Sequence, residues 1–90
     1  MVEEIRNRIN EVNPDALLAD GFDDALVGTV FVGGVWVALY DNRKCIDMLQ
    51  EEYDMDYLQA VDHFSFNVAG AYYGENTPLF VDIHDEEEDV

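Results

Sequence analysis

Carboxylates are the most numerous side chains in this sequence that can do chemistry. Of its 90 residues, 21 are Asp or Glu and only 4 are Lys or Arg, which gives a formal net charge of -17. All four bases precede Cys45, and 13 acids follow it. Such a surface repels nucleic acid and attracts basic proteins over long distances. We therefore expect no direct binding to nucleic acid.

Metal binding and catalysis need more specific patterns than acidity alone. The acidic segments 20–24 and 54–56 both depart from the calcium-loop pattern, which alternates acids and places Gly at position six and Glu at position twelve. Zinc needs grouped Cys and His ligands, whereas Cys45, His63 and His84 are widely spaced. We expect no metal, no cofactor and no enzyme activity. A hydrolase or metal-dependent enzyme would need carboxylates that converge in a pocket.

Two other reactive side chains have ordinary structural interpretations. Cys45 and His63 can in principle form a nucleophilic pair, but a buried, inert thiol is the favoured interpretation of Cys45. His63 follows Asp62 on a predicted helix, which favours a half-buried histidine paired with a carboxylate. A single cysteine cannot form an intramolecular disulfide and fits a reducing, cytoplasmic location. The acidic N-terminus does not resemble a signal peptide, and no apolar run is long enough for a membrane span.

Hydrophobic spacing predicts the elements of the first half. Ile5, Ile9 and Val12 fit an amphipathic helix over 3–12 that ends before Pro14. A short buried strand is predicted at 16–19. Residues 26–32 and 35–40 are rich in β-branched and aromatic side chains, and Gly33 with Gly34 between them predicts a two-residue hairpin turn.

Capping residues predict the helices of the second half. Asp41 can cap a helix over 42–53 in which Cys45, Ile46, Leu49 and Tyr53 can share one face. Asp56 and Gln59 can form a capping box before another helix, which is predicted to run to about Tyr72 and end at Gly74. Its apolar face would hold Leu58, Val61, Phe64 and Val68. A final strand is predicted over 78–83.

These elements predict an α+β fold in a single domain over residues 1–83. The order α-β-β-β-α-α-β places a small antiparallel sheet of about four strands against about three helices. The like-charged run at 85–89 predicts a disordered acidic tail over 84–90. The sequence leaves a homodimer open.

The acids of the second half predict a binding surface, because several of them fall on helices. Asp47 and Glu51 are four residues apart, so their Cβ atoms would lie about 5–6 Å apart on one helix face. Carboxylates held in this way can imitate the phosphates of a nucleic-acid strand and occupy a basic groove on a nucleic-acid-binding protein. Tyrosines can supply anchors for such a contact. The candidate partner-binding residues are Asp47, Glu51, Glu52, Tyr53, Asp54, Asp56, Tyr57, Asp62, Tyr72, Tyr73 and Glu75.

One further segment, Asn67–Pro78 (NVAGAYYGENTP), is the most distinctive in the chain. Together with Ala19–Ala25 and the stretch from Ala38 to Ile46, it resembles a group of small, uncharacterised acidic proteins of bacteria and their phages. The similarity covers roughly residues 10 to 82. The resemblance carries over no catalytic residue and implies a phage-type setting, in which small acidic proteins often block host nucleic-acid enzymes.

The first function hypothesis is therefore a non-enzymatic DNA mimic that inhibits a nucleic-acid-binding or nucleic-acid-processing protein. The alternative is a structural or housekeeping α+β domain whose acidity is an adaptation to a saline cytoplasm. The salt dependence of folding separates the two, because a salt-adapted fold would form only at high ionic strength.

Overall fold

A β-hairpin organises the fold of this protein, as seen in a computed structural model that describes residues 2–83. Strand β1 (Leu26–Val32) pairs antiparallel with strand β2 (Val35–Asp41), in the register that sets Phe31 opposite Trp36. Gly33 and Gly34 connect them with φ values of 59° and 89°. Two consecutive positive φ angles are what a tight hairpin turn requires, so the predicted hairpin is confirmed.

Three helices accompany the sheet within the described residues, and the predicted α+β class is confirmed. They are α1 (Val2–Val12), α2 (Asn42–Tyr53) and α3 (Tyr57–Phe64). Helix α1 ends before Asn13-Pro14, as predicted. The predicted cap of α2 is also confirmed, because the Asp41 carboxylate accepts a hydrogen bond of 3.0 Å from the backbone N–H of Arg43.

The sheet differs from the prediction in strand number and direction. It has three strands in the order β1-β2-β3, and the last strand, β3 (Leu79–Val81), runs parallel to β2. The prediction of about four antiparallel strands is therefore wrong. The chain leaves β2 directly into α2 and returns only after α3, and a connection that contains helices can bring the next strand back in the same direction.

The strand predicted at 16–19 is absent from the sheet. This segment is irregular, and its backbone donors bond to groups outside any strand. The N–H of Leu17 donates to the Asn76 carbonyl at 3.1 Å, and the N–H of Ala19 donates to the Tyr40 hydroxyl at 2.8 Å. The short apolar run is therefore hydrogen-bonded to the loop at Asn76 and to the Tyr40 side chain, and not to a neighbouring strand. The element order within 2–83 is α-β-β-α-α-β.

The third helix also differs from the prediction, since α-helical geometry ends at Phe64 and a π-helical segment follows at Ser65–Ala69. The expected continuation to Tyr72 is wrong. A Cβ atom on Gly70 would lie 2.6 Å from the Ser65 carbonyl oxygen, so the wide turn closes where a residue without a side chain allows it. The predicted acidic tail lies outside the described residues.

The core forms where the helices meet the sheet. Tyr40, Leu49, Val37 and Cys45 are its largest fully buried side chains. Phe80 of β3 lies between two other rings, with centroids 5.2 Å from Tyr40 and 5.3 Å from Phe64. This packing holds α3 against β3 and fixes which helix faces remain in solvent.

Candidate acidic-aromatic binding surface

Helix α2 presents two of the predicted acids because of the way it packs. Cys45 and Leu49 are buried, which turns the opposite face of the helix towards solvent. Asp47 and Glu51 lie on exposed positions one turn apart. Their Cβ atoms are therefore neighbours at about 5–6 Å, as helix geometry requires. Tyr53, a predicted partner-binding residue at the end of the same helix, is 67% exposed.

The turn between α2 and α3 carries the densest group of predicted site residues. We define the α2–α3 corner as residues 52–58. Asp54 ends α2 in the left-handed conformation, with φ 55° and ψ 35°. Met55 is half-buried and packs against the core, which attaches the corner to the rest of the fold. The exposed side chains around it are Glu52, Tyr53, Asp54, Asp56, Tyr57 and Leu58.

Asp56 has a structural role at this corner. Its carboxylate accepts a 2.8 Å hydrogen bond from the Gln59 backbone N–H, and the Gln59 side chain accepts one of 2.9 Å from the Asp56 N–H. The predicted capping box is confirmed. Because both groups satisfy helix-start donors, they fix the direction in which α3 leaves the corner. Asp56 is thus engaged with its own chain, whereas Asp54 beside it is not held by a cap of this kind.

The corner borders a small depression of about 240 Å³ next to the loop before β1. Glu52, Tyr53 and His63 line it from the helices, and Asp20 lines it from the loop. The polar neighbour of His63 Nδ1 is the Asn67 amide nitrogen at 3.4 Å. The predicted pairing of His63 with a carboxylate is therefore replaced by a contact with an amide one helical turn further along the chain. Among residues 2–83, no group of three or more His, Cys, Asp or Glu side chains is arranged to hold a metal ion.

The structure separates Tyr72, Tyr73 and Glu75 from the corner. They lie in the loop after the π-helical segment, where Thr77 Oγ1 accepts from the Tyr73 N–H at 2.8 Å and donates to the Gly74 carbonyl at 2.7 Å. Tyr72 and Glu75 line a depression that they share with the hairpin turn at Gly33. The predicted residues therefore belong to two surfaces, the α2–α3 corner and this loop.

A third depression, an apolar groove of about 560 Å³, lies between the segment 17–22 and residues 67–80. Tyr73 lines its edge, and Leu18, Phe22, Val68 and Phe80 form much of its wall. None of the predicted acids lines this groove. It is a feature that the sequence did not indicate, because residues 16–19 were expected to form a buried strand.

Leu58 and Phe66 are exposed residues that sequence reasoning missed as candidates. Leu58 was predicted for the core face of α3, yet it is 73% exposed, and Phe66 is 81% exposed. Ala60 and Phe64 are the buried residues of this helix. Asp62 follows Leu58 by four residues and precedes Phe66 by four. A charged residue at the centre of that row was the available sign that the row faces solvent.

Cys45 is buried, as predicted, and its surroundings disfavour the reactive thiolate form. Burial, with a smaller effect of the nearby Asp41 carboxylate, raises the pKa of its thiol to about 12. The thiol therefore stays protonated at neutral pH. This environment does not favour a nucleophile, so Cys45 is a core residue.

The basic residues lie in the first half of the chain, and two of them form ion pairs with acids of that half. Arg6 contacts Asp23 at 3.0 Å, and Arg8 lies 4.0 Å from Glu11. From Cys45 to Ile83 the sequence has eight acids and no Lys or Arg. The α2–α3 corner therefore has no cation within its own half of the chain.

No protein-family model matches this chain, and no curated protein or solved structure is significantly similar to it. None of the helices within residues 2–83 has the length and apolarity needed to cross a membrane.

Proposed function

We propose that this protein is a non-enzymatic acidic binding protein that presents the α2–α3 corner and the outer face of α2 to a basic surface of a nucleic-acid-binding protein. The observation that carries the proposal is the exposed set of acids at 47–56, on a stretch of backbone fixed by caps and core packing. The phage-type setting that the sequence resemblance implies is part of the same proposal.

Fixed geometry distinguishes these acids from a flexible acidic segment. Asp47 and Glu51 project from adjacent turns of α2, and Asp54 follows at a single left-handed residue held beside the half-buried Met55. A basic groove gains affinity for DNA because its lysines and arginines neutralise phosphates and release the counterions condensed on the DNA. A rigid array of carboxylates offers the same groove negative charge at fixed positions without being nucleic acid.

Aromatic side chains supply the part of the affinity that charge alone does not. Tyr53 is 67% exposed and Tyr57 is 60% exposed, one at the end of α2 and the other at the start of α3. Tyrosine is enriched among residues that dominate binding energy, because it buries a large ring and keeps a polar tip. Charge would accelerate the encounter, and these rings would slow dissociation.

Two triple variants with equal charge change test the proposal. The first neutralises the proposed surface with Glu51→Gln, Glu52→Gln and Asp54→Asn, and it spares the Asp56 cap. The matched control carries Glu3→Gln, Glu4→Gln and Asp15→Asn, which lie at exposed positions in and after α1. Circular dichroism checks that both variants remain folded.

Tagged wild-type protein and both variants are used to capture partners from lysate at about 0.1 M and about 0.5 M salt, where screening differs strongly. We expect wild type and control to retain a nucleic-acid-binding protein at the lower salt, and duplex DNA to compete with them for it. The corner variant should lose this partner. The proposal fails if no nucleic-acid-binding protein is retained, if retention is insensitive to salt, or if the two variants behave alike.

A further inference from the structure

We infer that the outer face of α3 is a docking strip for a cationic amphipathic helix of a partner protein. The α3 strip consists of Leu58 and Asp62 on α3 and Phe66 on the π-helical segment that continues it. This inference rests on the proposed function for the basic character of the partner, and it specifies the partner's secondary structure and the apolar anchors it would cover.

The strip is apolar surface that the fold leaves uncovered. Leu58 and Phe66 are the most exposed leucine and phenylalanine in the described part of the chain, at 73% and 81%. Leu58 lies on α3 and Phe66 on the π-helical segment that continues it, while Ala60 and Phe64 of α3 are buried in the core. Single exposed apolar residues need no explanation, whereas larger exposed apolar surfaces mark interaction sites. Here two large side chains are exposed two turns apart on one continuous helical run.

The backbone under the strip is specialised at the position of Phe66. Residues 65–69 form a π-helical segment, a rare conformation that is frequent at functional sites. Gly70 closes it, because any Cβ there would lie 2.6 Å from the Ser65 carbonyl oxygen. Phe64, directly before the wide turn, is buried in the core, and Phe66, two residues later, is exposed.

Charge selects the kind of partner. Asp62 lies within the strip, Asp54 and Asp56 lie at its N-terminal end, and the sequence has no Lys or Arg after Lys44. A second copy of this chain packed on the strip would place acids against acids, and an anionic membrane surface would be repelled in the same way. A partner with lysines or arginines beside its apolar residues complements both the acids and the apolar side chains of the strip.

The shape of the strip favours a helix as the occupant. Leu58 and Phe66 are eight residues apart, and an α-helix of that length spans about 12 Å along its axis. A partner helix with apolar residues at intervals of three and four can pack its ridge along this length, with basic residues on either side of the seam.

A model peptide tests the inference directly. The probe is a peptide of Leu and Lys, about 18 residues long so that it can be helical, with the leucines at helical spacing. The control peptide has the same composition in an order that gives no apolar face. Binding to the full chain is measured by calorimetry, and the contact is located from changes in the backbone amide NMR signals.

We expect the amphipathic peptide to bind about tenfold or more tightly than its scrambled control, with the largest signal changes at 57–66. The double variant Leu58→Gln/Phe66→Gln should lose at least about tenfold of that affinity. Phe31→Gln is the matched control, because Phe31 is also exposed, at 57%, but lies on the hairpin. It should bind the peptide like wild type.

The inference is overturned if both peptides bind equally, if the signals change elsewhere, or if the Phe31 variant is as impaired as the double variant. It is also overturned if sedimentation shows that the wild type forms a dimer that the double variant does not. These outcomes are independent of the proposed function, whose test is competition by duplex DNA for a captured protein. If the peptide binds but duplex DNA does not compete for a captured protein, the docking role of the α3 strip is supported and the DNA-mimic role is contradicted.

Discussion

The backbone N–H of Ala19 donates a 2.8 Å hydrogen bond to the hydroxyl oxygen of Tyr40, a residue with no exposed surface. This bond ties the irregular segment before β1 to the centre of the sheet. The segment forms one wall of the apolar groove, so a single buried hydroxyl helps to hold that groove open.

Replacing this hydroxyl should destabilise the protein. Tyr40→Phe leaves the Ala19 donor without its partner, and we expect a loss of about 1–2 kcal/mol in the free energy of unfolding. Urea denaturation at neutral pH measures it. Tyr57→Phe is the control, because Tyr57 is 60% exposed and its change should stay within about 0.5 kcal/mol. Equal stability of the two variants would show that the Ala19 bond contributes nothing.

Cys45 should make the fold sensitive to alkali. Its thiol pKa is raised from 9.0 to about 12 in the folded state, chiefly by burial. Burial also raises the pKa of Tyr40. A raised folded pKa means that the unfolded chain loses its proton first, so stability is intact below pH 9 and falls as pH rises towards the folded values. Each such group contributes a slope of about 1.4 kcal/mol per pH unit in that window.

Unfolding measured from pH 8 to pH 11 should therefore show a progressive loss of stability, and Cys45→Ala should show a shallower loss above pH 9. Cys45→Ala has a lower free energy of unfolding at pH 8 because it lacks a buried sulfur atom. The quantity to compare is therefore the slope of the free energy of unfolding against pH. Parallel slopes for the two proteins would contradict the assigned pKa. Native Cys45 should also react far more slowly with a thiol reagent at pH 8 than the urea-unfolded chain.

Gly70→Ala should be destabilising, because its Cβ would lie 2.6 Å from the backbone oxygen of Ser65. Relief requires movement of the π-helical segment, and a cost of about 1–3 kcal/mol is expected for strain of this kind. Gly28→Ala is the matched control, since nothing lies within 4 Å of the added Cβ and its φ is ordinary. Thermal unfolding should rank Gly70→Ala below the control, and the reverse order would rule out the close contact.

Asp56→Ala should weaken the start of α3 by removing one side of the capping box. We expect a loss of about 0.5–2 kcal/mol. Asp47→Ala removes the same charge from an exposed site on α2 and serves as the control. Since the removal of one acid also relieves repulsion, the difference between the two variants in chemical denaturation isolates the cap. No difference would mean that Gln59 alone suffices to hold the helix start.

Salt should stabilise the folded chain, because a net charge of -17 repels itself in the compact state and added ions screen that repulsion. Urea unfolding at about 20 mM and about 500 mM NaCl measures the effect. We expect a full native circular-dichroism spectrum already at the lower concentration. A fold that appears only near molar salt would instead support the alternative of a salt-adapted structural domain.

Local signals in the sequence determined a large part of this fold. Gly33-Gly34 between two β-branched runs predicted the hairpin, and Asp41 and Asp56 predicted the starts of α2 and α3. These features depend on interactions between near neighbours, such as a cap oxygen with an N–H two or three residues away, so spacing alone identifies them. The exposure of Asp47 and Glu51 followed from the same helical spacing.

Tertiary structure decided what local spacing could not. The segment 16–19 has the composition of a buried strand, but two of its backbone N–H groups bond to Tyr40 and Asn76 across long sequence separations. Leu58 fitted an apolar stripe, yet the packing of Phe64 against Phe80 turned it outwards to 73% exposure. Tertiary packing likewise divides the predicted surface between the α2–α3 corner and the Tyr72–Glu75 loop. The sequence determined that this protein is polarised in charge, whereas only the folded chain decided which acids and aromatic rings share a surface, because that depends on how α3 and β3 pack.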